Sequence, residues 1–444
     1  MAIDFRIRNF FYPVGIYRLN RTLEKTQWLP RDELLAYQER RLTAILDQAY
    51  NHVPYYRRLF KTLGLTPADI RCVDDLKKLP LLSKDIVCKG GTDFIADNAK
   101  RYDPVTYSTS GTSGVPMRIQ LDKGARILEF VYYWRHWGWA GYRLGDRFAE
   151  LRTYFFLGRN SDAVSLWQPH LRGLMLNSNQ VSFSRAKKMA EAIRRYRPKF
   201  LKGMAATLYF LALSFKQAGI TDISFRAVFS TGEVLTPQYR AMMEQVFGCP
   251  VMDSYGHMEG AVAISQCMEG GYHINSDYGL LEFENPQPSE DGTAMVGRAV
   301  GTSLYNFAMP FIRYDMGDDI EFFPETEICP CGRTLPLVKV IHGRRDDIII
   351  TPDGRLVTNM FVLPELVEGI RFAQFIQESS TVLNVNVVPG ETWTEGESEK
   401  LSCYVKKLTG KEMNVRMHQI TQNDIITDAS GKTRTVISYV KPRD

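Results

Sequence analysis

Over residues 32–50 the apolar side chains Leu34, Leu35, Tyr37, Leu42, Ile45, Leu46 and Ala49 recur at spacings of three and four, and Asp32 follows Pro30 as a start signal. This pattern predicts an amphipathic helix. The segments 51–56, with Pro54, and 79–84, with Pro80, read as breaks, so the first hundred residues form a helical N-terminal part. From Tyr107 to Asp346 the pattern alternates: helix over 184–196, strand ending in 200–203, helix over 205–217 and strand over 227–230. Alternating βα order predicts a layered α/β fold with β-sheets flanked by helices. Residues 277–323 read as short strands and turns, such as Asp291-Gly292, and predict a β subdomain over about 277–345. The tail carries its own strand and helix patterns at 381–388 and 401–408, enough for a small α+β domain. The predicted organisation is therefore a multi-subdomain body, 1–345, whose residues 1–100 are helical, followed by a small C-terminal domain, 346–444.

Composition narrows the class without changing this layout. Of 444 residues, 44% are hydrophobic and 24% charged, which excludes a disordered or fibrous chain. A net charge of +5 over this length does not call for a nucleic-acid or anionic-membrane partner. The basic run Arg185, Lys187, Lys188, Arg194, Arg195 and Arg197 reads as a solvated helix face. The longest uncharged apolar run, 203–215, is too short to span a bilayer and suits a buried helix. Residues 9–17 are aromatic and lie between Arg8 and Arg18, but Pro13 and the lack of a small-residue cleavage site argue against a signal peptide. A cytoplasmic location follows. Seven unevenly spaced cysteines do not make a disulfide framework. Cys72, Cys88, Cys249 and Cys403 read as buried small hydrophobes.

Two constellations point to chemistry. Thr109, Ser110, Gly111, Thr112, Ser113 and Gly114 form a hydroxyl- and glycine-rich run between extended segments, closed by Pro116. Such a loop offers N–H groups and hydroxyls to a phosphate chain, and glycine permits close approach; a flexible linker is the plainer alternative. It is not a Walker A loop: the sole Gly-Lys-Thr, 431–433, has Ile426 where that motif needs its first glycine. The second constellation is Cys267, His273, Cys329 and Cys331, a soft Cys₃His donor set that suits a tetrahedral structural zinc site. Its alternative is three reduced cysteines and an unrelated histidine.

The 109–114 run is followed in order by Asp253-Ser-Tyr-Gly-His-Met-Glu259, Arg313-Tyr-Asp-Met-Gly-Asp318, Gly343-Arg-Arg-Asp-Asp347 and Gly431-Lys-Thr-Arg434. In this order and spacing the chain resembles the adenylate-forming (AMP-binding) enzymes. Val53-Pro-Tyr-Tyr-Arg57, Asp75-Leu76, Pro80 and Cys329-Pro-Cys-Gly-Arg333 resemble the branch of phenylacetate-coenzyme A ligases and CapK-like proteins. The resemblance covers nearly the whole chain and implies that fold, with the C-terminal domain acting as a mobile lid.

The activity it implies is ATP-dependent conversion of a small carboxylic acid to acyl-AMP with release of pyrophosphate, then acyl transfer, most readily to coenzyme A. An amide- or ester-forming synthetase using an amine or carrier protein is the alternative acceptor chemistry, and a nucleotide-binding member without turnover is the alternative class. By resemblance, residues 109–114 hold the β- and γ-phosphates and Glu259 ligates Mg²⁺. Ser230, Thr231, Gly232, Glu233, Asp253, Ser254, Tyr255 and Gly256 form the adenine side, with Tyr255 stacking on the base. Asp318 accepts the ribose hydroxyls, as a carboxylate suits a cis-diol. Arg344 contacts ribose or phosphate, Asp346 is the hinge, and Lys432 reaches the substrate carboxylate and α-phosphate as a mobile point charge. Tyr133, His136, Trp137 and His257 are candidates for the acid pocket. Relatives carry a similar Cys/His set, which favours zinc. Met258 stands where the family usually has a threonine, so a phosphate contact passes to His257 or to the Ser/Thr run. No acid, acceptor or oligomeric state is specified, although a dimer is compatible.

Overall fold

The computed structural model describes residues 12–108, 117–152, 156, 163–178, 181, 185–289, 291–323, 327–344, 349–352, 356–357, 360, 363–364, 367–427 and 433–440. Its N-terminal part is helical: α1 (Tyr12–Thr26), α2 (Arg31–His52), α3 (Pro54–Leu63) and α4 (Lys84–Gly90). The sequence places α2 well. The break after it is a single extended residue, Val53, because Pro54 is accommodated at the first position of α3, where no N–H is required. A short antiparallel pair, β1 (Val105–Ser108) and β2 (Arg118–Leu121), flanks the hydroxyl-rich run, which itself lies outside the described residues.

Helix α5 (Lys123–Trp139) starts at Asp122, whose carboxylate accepts from Ala125 N at 2.8 Å and also from Phe307 N at 2.6 Å. One side chain thus satisfies an otherwise orphaned helix donor and fixes the helix to a distant loop. The alternating region supplies β3 (Phe148–Leu151), β4 (Ser165–Gln168), β5 (Gly173–Leu176), α6 (Ala186–Tyr196), β6 (Phe200–Met204), α7 (Ala205–Gln217), β7 (Ala227–Thr231), α8 (Pro237–Phe247) and β8 (Val251–Gly256). The apolar run ends up as α7, which is buried nearly throughout, as its lack of a polar face demands.

Then come β9 (Ala263–Gln266), β10 (Tyr272–Ile274), β11 (Gly279–Pro288), β12 (Met295–Ser303), β13 (Tyr314–Phe322) and β14 (Leu337–Arg344). All but β1 and β2 join one twelve-stranded sheet in the order β11-β12-β13-β14-β10-β9-β8-β7-β6-β3-β5-β4. Strands β5, β3, β6, β7 and β8 are parallel; from β8 onward through β9 to β11 every pairing is antiparallel. The β-rich stretch after residue 277 is therefore not a separate sheet, because β10 pairs with both β9 and β14 and makes it continuous with the parallel half. Leu201, Val228 and Val251 pack with α6, α7 and α8 on one face, while Phe200, Phe229 and Met252 pack toward α5 on the other.

The tail forms a two-stranded pair, β15 (Ile349–Ile350) with β16 (Leu356–Val357), and a four-stranded sheet in the order β19-β18-β17-β20. That sheet comprises β17 (Ile370–Ser379), β18 (Val382–Pro389), β19 (Asn414–Gln419) and β20 (Val436–Ser438), and α9 (Glu395–Thr409) packs on it through Leu401 and Val405. Phe372 and Val388 leave this core and pack against α7, with the Phe372 and Phe210 rings 5.6 Å apart. Cys249 is buried as read from sequence, but Cys403 is exposed on α9, so the reading of that cysteine as a core residue fails: it falls on the solvent side of an amphipathic helix.

Arg135 of α5 is fully buried. It holds Asp277 through two nitrogens, at 2.5 and 2.9 Å, and also reaches Asn275 Oδ1 at 2.5 Å and Leu23 O at 2.8 Å. The pair ties α1, α5 and the approach to β11 together. Removing one partner strands a buried charge, so Arg135→Met is expected to lower unfolding free energy by about 3–5 kcal/mol. Adding Asp277→Asn should restore part of that loss, and urea denaturation of the three proteins measures it.

Candidate functional site

The sheet changes from parallel to antiparallel between β8 and β9, and ligands of α/β sheets bind beyond the carboxyl ends of parallel strands where the order switches. Tyr255 stands near that end of β8. Although β9, β10 and β14 intervene in the sheet, its hydroxyl donates to Asp318 Oδ2 of β13 at 2.5 Å. In register, Asp318 also faces Arg344, the last residue of β14, whose side chain lies outside the description.

Just past β8, Glu259 accepts from Tyr314 Oη at 3.1 Å and lies 2.9 Å from His257 Nδ1. Burial works to raise the Glu259 pKa, but the contact with and charge of His257, aided by Tyr314, prevail and hold it below the ordinary carboxylate value. An ionised, ordered carboxylate is the donor type a hard divalent cation takes. His257 is thus engaged with Glu259 through Nδ1, while its buried Nε2 has no hydrogen-bond partner among the described residues. Met258, between them, is 43% exposed, so its thioether does not pack inward.

The β7 turn supplies the next wall. Ser230 is buried, Ser254 Oγ donates to Ser230 O at 3.0 Å, and Gly232 has φ +79°, a conformation that glycine adopts without strain. Asp253 turns its carboxylate inward, where Tyr272 Oη donates to it at 3.1 Å; burial raises its pKa to about 7 against the pull of Arg240. It therefore props β8 from behind. Gly256 closes the strand.

Glu233 joins three elements. One oxygen accepts from Ala206 N at 2.8 Å and caps α7, which has no cap of its own; the other accepts from Thr433 N of the tail at 2.9 Å. Thr433 follows Lys432, and the 428–432 segment lies outside the described residues, as do Asp346 and the 109–114 run. The ends of the tail turn are nevertheless fixed. Thr427 pairs with Thr433, and the fully buried Gln374 of β17 donates to Ile426 O at 2.9 Å and Arg434 O at 2.7 Å while accepting from Ile426 N at 3.1 Å. Sequence reasoning passed over Gln374, Tyr314 and the capping role of Glu233. A glutamine set between the apolar Phe372, Ala373, Phe375 and Ile376 was the available signal for the first.

On the other side of Thr231, Tyr133 Oη lies 3.5 Å from Thr231 Oγ1, and the Tyr133 ring stacks on Trp137 at 5.7 Å. Both are partly buried at the strand ends. His136 corrects the sequence reading: it is fully enclosed, with Nε2 3.0 Å from Gln266 O and its ring edge-on to Trp139 and Phe229. One helical step from Trp137, it turns under the sheet instead of into the cleft, and burial pushes its pKa down to about 4.

The donor atoms of Cys267, His273, Cys329 and Cys331 all lie within 4.8 Å of one another. The Cys267 and Cys329 sulfurs are 3.5 Å apart, and Cys331 Sγ is 3.3 Å from His273 Nε2. His273 Nδ1 lies 3.1 Å from Leu335 O, which directs a lone pair of Nε2 toward the sulfurs. Positive φ at Gly270 and Gly332 shapes the two knuckle turns, and a Cβ on Gly271 would sit 2.9 Å from Cys329 Sγ.

Comparisons with known proteins agree with this architecture. The profile of the CapK C-terminal domain matches residues 349–439. The phenylacetate-coenzyme A ligase of Thermus thermophilus is 27% identical over 352 residues, covering 78% of this chain and 76% of that protein. Protein CapK of Staphylococcus aureus is 22% identical over 424 residues, covering 92% and 90%. In structure, 2-hydroxyisobutyryl-CoA ligase in its postadenylation state superposes with a TM-score of 0.72 at 19% identity, covering 94% of this chain and 91% of that one; in its thioesterification state the same ligase gives 0.60. The chain has the adenylate-forming ligase fold, and its sequence likeness lies with the phenylacetate-coenzyme A ligase and CapK branch. No helix among the described residues is long and apolar enough to cross a membrane.

If Asp318 holds the ribose, Asp318→Asn loses a charged acceptor worth about 1.5–3 kcal/mol. Calorimetric titration with Mg-ATP should then show affinity falling by about ten- to a hundredfold, and by less for Tyr255→Phe.

Proposed function

We propose that this protein is an AMP-forming acid–thiol ligase: a carboxylic acid and ATP give acyl-AMP and pyrophosphate, and the acyl group then passes to the thiol of coenzyme A with release of AMP. The observation that carries this reading is the meeting of Tyr255 and Asp318 at the open end of β8, beside the Glu233 turn on which the tail is docked. Its relatives include proteins named phenylacetate-coenzyme A ligase, which supports CoA as acceptor. An amine or a carrier protein is the alternative acceptor.

In the first half-reaction a carboxylate oxygen attacks the α-phosphorus as the pyrophosphate oxygen departs in line, and negative charge gathers on the phosphoryl oxygens. Residues 109–114 would hold the outgoing phosphates, while Tyr255 and the 230–233 turn frame the base and Asp318 the ribose. Arg344 and Lys432 would bring cationic donors to the charge that develops. Glu259 fits Mg²⁺, being an ionised carboxylate fixed from both sides by His257 and Tyr314. When bound there, the cation would neutralise phosphate charge.

For thiol attack the tail must leave Glu233 and present another face, and Asp346, between the end of β14 and the matched 349–439 segment, is the proposed hinge. The body would then run over 1–345 and the lid over 346–444. The four sulfur and nitrogen donors fit a structural zinc ion: with four protein ligands no position is left for substrate, and the site would fasten the β9–β10 turn to the approach to β14.

Pyrophosphate release from ATP should require a carboxylic acid, and AMP release in the second step should require CoA. Lys432→Ala is expected to slow acyl-AMP formation by about 10²–10³-fold, as loss of one transition-state donor does, in single-turnover assays. Elemental analysis should find one zinc per chain. Removing it with a chelator should lower the melting temperature, as should Cys329→Ser, whereas a metal-free protein of unchanged stability would contradict the zinc assignment.

A further inference from the structure

The small C-terminal domain turns one face of its sheet to the body and covers the other with α9. Val388 of β18 packs in the core that contains α7, whereas its neighbour Val387 shares a core with Leu401 and Val405 of α9, as alternation along a strand requires. The outer side of α9 therefore lies away from the α7 contact. That side carries a groove of about 730 Å³ bounded by two rows of side chains at four-residue spacing. One row is Glu395, Glu399, Cys403 and Lys407, continued by Lys411 just past the helix end; the other is Ser398, Ser402, Lys406 and Gly410. Rows of this spacing are the ridges that interlock when helices pack on one another. Every member of the first row is exposed. Nearby Lys400 is paired with Glu397 at 3.6 Å, but the four charged groups of the first row have no ion pair among the described residues.

The charges of the first row are arranged symmetrically about Cys403. Glu399 and Lys407 stand four residues to either side of it, and Glu395 and Lys411 stand eight, so each acid on one side answers a base at the same distance on the other. The helix dipole accounts for Glu395, Lys406 and Lys407 in the first and last turns, but not for Glu399 in the second turn or Lys411 beyond the last. We propose that the outer face of α9 is a dimer interface, occupied by the α9 of a second copy of this chain that runs antiparallel about a two-fold axis at Cys403. A two-fold contact needs a surface complementary to itself. Reversed on itself, the row sets each Glu399 against the other copy's Lys407 and each Glu395 against its Lys411. The small Ser398, Ser402 and Gly410 of the second row let the two ridges enter the facing grooves. A fifteen-residue helix offers about 22 Å of contact, at the small end of specific interfaces, so the dimer is weak and held largely by charge. The interface stands apart from the ligase reading, since it uses no residue of the nucleotide site.

Sedimentation velocity of the full chain over a range of protein concentrations tests this interface. The wild-type protein should dimerise at low ionic strength, with a dissociation constant that rises about tenfold or more between about 0.05 and 0.5 M sodium chloride, because exposed ion pairs are screened. Glu399→Lys turns two attractive contacts per dimer repulsive and should weaken association by about tenfold or more. Combining Glu399→Lys with Lys407→Glu in one chain exchanges the charges and keeps the symmetry, so dimerisation should return, a recovery that a misfolded variant would not show. A short bis-maleimide should join two wild-type chains through their Cys403 thiols and leave Cys403→Ser unjoined. Protein that is monomeric at every concentration, a dimer indifferent to Glu399→Lys, a double exchange that fails to restore it, or a bis-maleimide that joins wild type and Cys403→Ser equally overturns the inference. Each of these outcomes leaves pyrophosphate release, and so the ligase reading, untouched.

Discussion

The change of strand sense between β8 and β9 is the constraint on which the rest of this structure depends. Parallel strands on one side of β8 deliver their carboxyl ends to a single edge, and the antiparallel strands beyond it curl back so that β13 meets β8 at that edge. The contact between Tyr255 and Asp318 is the result. Without that curvature, the aromatic ring and the carboxylate would lie on strands separated by three others, too far apart to touch. The buried Arg135–Asp277 pair supports the same geometry from below, since it fastens α5, which covers the parallel half, to the start of the antiparallel half.

The tail is held to this edge by two kinds of contact with different physical character. Phe372 and Val388 pack on α7 without directional preference, whereas Glu233 accepts one specific backbone N–H, that of Thr433. The carboxylate that receives the tail also caps α7, so tail position and the helix that abuts the 230–233 turn share a single side chain. Gln374 fixes both ends of the turn from within the small domain. An apolar patch and a few hydrogen bonds make this interface a small one.

Much of this was legible in the sequence, and the parts that were not share a cause. Helix α7 was plain because its apolar residues leave no polar face, and strands β6 and β7 were plain because their runs are short and bounded, whereas β3, β5 and β8 were not read as strands. The continuity of the β-rich stretch with the main sheet was not legible, since it rests on the short pairing of β10 with β14, which local pattern does not encode. The same holds at residue level. Tyr255, Glu259 and Asp318 were singled out because they sit in an ordered set of motifs. His136 was misplaced because helical spacing alone does not say which of two adjacent aromatic positions turns toward a cleft. Gln374 and the double duty of Glu233 rest on contacts between segments far apart in the sequence. In the Cys/His cluster, residue type was enough to propose the donor set, and the fold supplies the proximity.

The central claim is that ATP lies at the open end of β8, with its base on Tyr255 and its ribose on Asp318. A crystal structure of the protein with AMP and Mg²⁺ tests it most directly. The account predicts adenine against the Tyr255 ring and the Asp318 carboxylate within hydrogen-bond distance of the ribose hydroxyls; adenosine found at any other place on the molecule would contradict it.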